Sequence, residues 1–159
     1  MYAYKHQYYL SEEGQDPYPP YLGDPNGLVY LAEGGGIQIL TGANTGMINL
    51  TVDLLDAAPP MAAAGWDEIV EVSYTSQQGR ALVLGWPAKP VNGLPPVSAG
   101  GPGHYRIRFH ARHRDDARNL DPLTVVEEHY IAAWPARRGP VELHKLSDEF
   151  GQRYRESGL

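Results

Sequence analysis

Along Gly103–Arg114 apolar and basic positions alternate. Tyr105, Ile107, Phe109 and Ala111 share one parity, and His104, Arg106, Arg108, His110 and Arg112 share the other. Successive side chains point to opposite faces of a strand, so this stretch predicts a half-buried β-strand with a basic, exposed outer face. Eight further segments read as strands: Tyr2–Leu10, Gly27–Ala32, Gly36–Leu40, Met47–Leu55, Trp66–Thr75, Arg80–Trp86, Val125–Trp134 and Val141–Leu146. Nine short strands separated by glycine and proline predict an all-β fold, a two-sheet antiparallel β-sandwich of jelly-roll-like form. Helical periodicity with an N-cap is missing over any convincing length. The nearest candidate is Ser147–Arg155, which Gly151 interrupts, so a single turn or a frayed tail is expected there.

The same alternation assigns faces to two more strands. In Trp66–Thr75, Trp66, Glu68, Val70, Val72 and Tyr74 share one parity, while Asp67, Ile69, Glu71, Ser73 and Thr75 share the other. In the next-to-last strand Val126, Glu128, Tyr130, Ala132 and Trp134 alternate with Glu127, His129, Ile131 and Ala133. Acidic outer positions then neighbour the arginine stripe, and cross-strand Arg–Glu pairs follow if these strands are adjacent. That pairing gives Arg106 and Arg108 a structural role. The tryptophans at 66, 86 and 134 fall at strand ends, where burial would close the ends of the sandwich.

The chain of 159 residues suits one domain spanning 1–159, with a single core. It has no cysteine, which removes disulfides, thiolate nucleophiles and thiolate metal sites. The formal charge is −6, from 13 Lys and Arg against 19 Asp and Glu. That balance argues against nucleic acid as a partner and suits a basic protein. The aromatic, polar opening and the lack of a long apolar run point to a cytoplasmic protein with no membrane partner.

Candidate chemistry is sparse. His110 and His113 stand near Asp115 and Asp116, but the two histidines differ in parity, and Arg108, Arg112 and Arg114 would repel a cation. Asp115 and Asp116 are expected to end the strand. A nucleophile elbow is not found. Glu127 and Glu128 point to opposite faces and cannot converge on one bond. The glycine runs at Gly34–Gly36 and Ala99–Gly103 lack the Lys-Ser/Thr pair of a phosphate loop. No catalytic residue, cofactor or metal is therefore expected. The loops Glu12–Pro25 and Ala88–Pro102 are expected at the surface, and the first holds two tyrosines among acids.

Tyr4–Leu10, Gly46–Val52 and Gly103–Phe109 resemble segments of the competence-associated nuclease inhibitors. Gly65–Ser73, Gly101–Asp115 and Glu127–Ala136 resemble an uncharacterised actinobacterial β-sandwich family with the layout GWxEVVEVS, GPGxYRVRVHARGRD and EEHYLxxWPA. This chain departs from that layout at His113, where the pattern has glycine. The first resemblance implies a non-catalytic sandwich that occludes a partner's active site. On that reading Glu12, Glu13, Asp16 and Asp24 meet a basic nuclease-like protein, with Tyr18 and Tyr21 as anchors. A small-ligand or metal-dependent enzyme of jelly-roll form, with a pocket at His104, His110 or His113, and a structural homodimer subunit remain open alternatives.

Overall fold

The computed structural model describes residues 1–158. Its architecture is an all-β sandwich of packed sheets. One sheet runs β10 (Lys89–Pro90), β9 (Leu82–Gly85), β2 (Gln7–Ser11), β5 (Ile37–Leu40), β4 (Val29–Ala32) and β3 (Tyr21–Leu22), every pair antiparallel. The other runs β13 (Glu142–Leu146), β8 (Glu68–Ser76), β11 (Gly103–Arg112), β12 (Glu128–Pro135) and β7 (Asn49–Leu54). Its last pair, β12 with β7, is parallel. A small third sheet joins β1 (Tyr2–Tyr4) to β6 (Thr45–Met47). Among the described residues no helix is long and apolar enough to cross a membrane.

The core fills the space between the large sheets with the inward parity of each strand. Tyr8 and Leu10 of β2 and Ile37 and Ile39 of β5 meet Val70 and Val72 of β8, Ile107 and Phe109 of β11, and Ile131 and Ala133 of β12. Each large apolar side chain buried here contributes roughly 1.5–3 kcal/mol relative to exposure. The faces expected from alternation hold on all three of the latter strands. Arg108 aligns with Glu71 across β11 and β8, as the cross-strand pairing requires.

The strands depart from expectation in two places. Tyr2–Leu10 is two strands, because Lys5 and His6 take left-handed backbone angles of φ 54° and 61° and turn β1 away from its sheet. Met47–Leu55 divides at the buried Ile48. The two loops add the short strands β3 and β10, which brings the described strands to thirteen. Trp134 is buried and Trp66 half-buried, but Trp86 is 53% exposed and stacks on Tyr4 instead of closing an end.

The chain also forms two helices, α1 (Arg114–Ala117) and α2 (Glu149–Ser157). Asp115 and Asp116 belong to α1, and the strand ends earlier, at Arg112. His113 makes the turn between them with φ 63°, a left-handed angle that glycine adopts without strain. α2 is longer than the expected single turn. Asp148 caps it by accepting from the Gly151 N–H at 2.7 Å. Gly151 does not break the helix because its bare face is where other groups pack. A Cβ there would stand 2.7 Å from the Arg114 guanidinium and 2.8 Å from both Arg155 and Asp148.

The two flanks of the sandwich differ. On one, the small sheet bridges the large ones: Trp86 N–H donates to Tyr2 O beside β9, and Ile48 N–H donates to Met1 O before β7. On the other flank β3 and β4 face β13 with no described strand between them.

Candidate functional site: the open flank

A cleft occupies the open flank. Its apolar part, about 260 Å³, is lined by Leu22 and Leu31 from one sheet, Leu143 of β13 and Val141 just before it, and Asp24 and Asn26 of the loop after β3. Leu22, Leu143 and Val141 are large apolar side chains left 57%, 51% and 43% exposed. Leu22 and Leu31 also line a more polar part of about 430 Å³, with Gln15, Glu33, Gly34–Gly36, Thr75, Gln77 and Arg138. Glu33 and Arg138 are exposed, and neither forms an ion pair among the described residues.

The loop that carries the sequence-predicted contacts frames this cleft, but it does not present all of them. Glu12 is buried and serves the fold. Its carboxylate accepts from the Ser76 hydroxyl and from the N–H groups of Gln77 (2.9 Å), Gln78 (3.2 Å) and Arg80 (3.1 Å). Burial opposes its charge, but these donors outweigh burial and hold its carboxyl below the usual glutamate value. Glu12 is thus removed from the surface set. Glu13, Asp16 and Asp24 are exposed; Asp16 accepts from the Tyr18 N–H at 2.8 Å and so shapes the turn. Tyr18 is 47% exposed and packs edge-on against Tyr9. Tyr21 is half-buried, stacked on Tyr30, with burial pushing its hydroxyl up to about 12.

The arginine stripe is not an exposed basic face. Arg106 and Arg108 are each only 6% exposed, and both donate to the one Glu71 carboxylate, at 3.0 and 2.9 Å. Burial opposes the Glu71 charge, but these two cations hold its carboxyl below the usual range. Arg108 also lies 5.1 Å from the Trp134 ring and donates to Pro59 O, so the segment before β8 covers this face. Glu71, Glu142 and His144 bring three possible ligand atoms within 4.8 Å of one another. Two guanidiniums already occupy Glu71, and their charge works against a cation there, so the group reads as an ion-pair network.

The histidines proposed for an enzyme pocket do not converge. His110 is buried against Trp66 and Tyr130, and burial pushes its pKa down to about 4. His104 is exposed and within 2.9 Å of the Thr75 hydroxyl, while His113 is exposed beside Asp116. Another histidine looks more like chemistry. His129 lies 3.0 Å from the Tyr8 hydroxyl and 2.7 Å from Glu127, whose carboxylate accepts from the Gly42 and Ala43 N–H groups. All three side chains are buried between the sheets, so they cross-link the core. A second buried network, Arg114 with Asp148 and Glu68, ties α1 to α2.

No family model, curated protein or solved structure matches the chain. Sequence reading missed Leu22, Leu31, Glu33, Arg138, Val141 and Leu143. A signal was present for two of them: in Val141–Leu146 the apolar Val141 and Leu143 alternate with Glu142 and His144, directly after Pro140, as an edge strand does.

Proposed function

We propose that the chain is a non-catalytic binding module whose open flank receives an extended segment of a basic partner protein. The observation that carries this reading is the asymmetry of the sandwich. One flank is bridged by the small sheet, and the other leaves Leu22, Val141 and Leu143 bare around an apolar cleft. Exposed apolar side chains gathered in a groove with a polar rim are typical of recognition sites. Asp24 lines the apolar part and Glu33 the polar part, the latter alongside Arg138, and the chain as a whole carries a charge of −6. Charge of that sign favours a partner rich in Lys or Arg and speeds its encounter. The resemblance to the competence-associated nuclease inhibitors makes inhibition of a basic, nuclease-like enzyme the form we propose for such binding, and the acidic balance of the chain is in line with a basic partner.

The test uses two labelled heptapeptides, capped at both ends, in which Val alternates with Lys or with Glu. Fluorescence anisotropy should show the Val-Lys peptide binding and the Val-Glu peptide failing to bind. Leu22→Ser and Leu143→Ser change exposed side chains and should leave the unfolding transition in place. Each should weaken the Val-Lys peptide at least five-fold. Equal affinity for both peptides, or for parent and variants, would overturn the proposal.

A further inference from the structure

We infer that the partner segment binds by strand addition, pairing its backbone with the free edge of β13. The inference rests on the open flank being the binding site, and it specifies how that site is read. Among the described residues β13 is the last strand of its sheet and pairs only with β8, so the backbone groups of its other edge have no strand to meet. The opposite lip offers a poorer edge. β3 is only two residues long and follows Pro19 and Pro20, which have no N–H to donate.

The faces of β13 define the chemistry of a guest strand. Leu143 aligns with Val70, a core residue, and so points toward the space between the sheets, where it lines the apolar cleft. Glu142 aligns with Glu71 and points to the outer face. There its carboxylate is half-exposed, 3.7 Å from Arg106 and 3.3 Å from His144. A guest residue beside Leu143 shares its face and enters the cleft with Leu22 and Leu31. A guest residue beside Glu142 lies on the outer face, within cross-strand reach of a carboxylate. The site therefore selects a segment in which apolar residues alternate with Lys or Arg. Main-chain bonds supply affinity in such complexes, and alternate side chains supply specificity.

Alternate backbone methylation of the Val-Lys heptapeptide separates strand addition from side-chain docking. One version is methylated on the lysine nitrogens and the other on the valine nitrogens, so each loses the N–H groups of one strand edge. Strand addition predicts that one isomer loses at least ten-fold in affinity while the other binds within two-fold of the parent peptide. It also predicts slower exchange, in the complex, of those β13 amides that face its free edge. Equal affinity of both isomers, or equal loss in both, overturns strand addition while binding by the parent peptide keeps the cleft as the site. Failure of the parent peptide to bind overturns both readings. A dimer in sedimentation that Leu143→Ser dissolves would make a second copy the occupant and would also overturn the inference.

Discussion

Glu12→Gln isolates what the first loop contributes to the fold. The parent carboxylate accepts from Ser76 and Arg80 at one oxygen and from Gln77 at the other, with Gln78 reaching both. Glutamine keeps one accepting oxygen, and its NH₂ group must then face an N–H donor. The change removes a charged acceptor, worth about 1.5–3 kcal/mol for one such bond, and turns the new NH₂ group toward at least one part-buried N–H from which the carboxylate had accepted. The expected loss is about 3 kcal/mol, which lowers the melting temperature of a chain of this size by roughly 6–12 °C. The pH dependence has a definite sign. The folded pKa of Glu12 lies below its usual value, so its stabilisation is fully present above the ordinary glutamate range and is lost as pH falls through the folded value. Urea unfolding of parent and variant should show the widest gap at neutral pH and a narrowing gap in acid. A gap under about 0.5 kcal/mol at neutral pH, or one that is constant down to about pH 3, would refute the assignment of Glu12 as the anchor of this loop.

Removing Glu71 leaves two buried guanidiniums side by side. Glu71→Ala should cost about 3–5 kcal/mol in urea unfolding. Arg108→Ala should cost less, because Arg106 still pairs with Glu71; an Arg108→Ala variant as stable as the parent would remove the structural role of the stripe. His113→Gly relieves a left-handed angle and gives up only an exposed contact with Asp116. It should leave stability unchanged or raise it by up to about 1 kcal/mol, and a clear loss in thermal unfolding would show that the imidazole does more than occupy the turn.

Alternation made the inward faces of β8, β11 and β12 legible, because burial on one side of a sheet writes a period of two into the chain. The same pattern says nothing of what covers the outward face. Arg106 and Arg108 therefore read as exposed, although Glu71, Trp134 and the Pro59 carbonyl enclose them. The break at Lys5 and His6 was hidden because neither residue is glycine or proline, the usual marks of a left-handed bend. Gly151 misled in the opposite direction, since its role is to admit the Arg114 guanidinium and not to end α2. The cleft was least legible, since it forms between segments about 110 to 120 residues apart in the chain, such as Leu22 and Leu143, whose proximity depends on strand order.

The irregularity between Leu143 and Lys145 in the β13–β8 ladder bears on how the protein avoids itself. An unprotected strand edge is a template for identical chains to zip together, and a bulge twists such an edge out of the flat geometry that a long ladder needs. Glu142, His144 and Lys145 put polar and charged side chains on the same five residues, which blunts the edge as a template for identical chains. Only a short stretch of β13 remains straight enough to pair. An edge so shortened can take up a brief foreign strand while discouraging open-ended stacking of its own kind, and the bareness that makes the flank useful is thereby kept from becoming a route to aggregation.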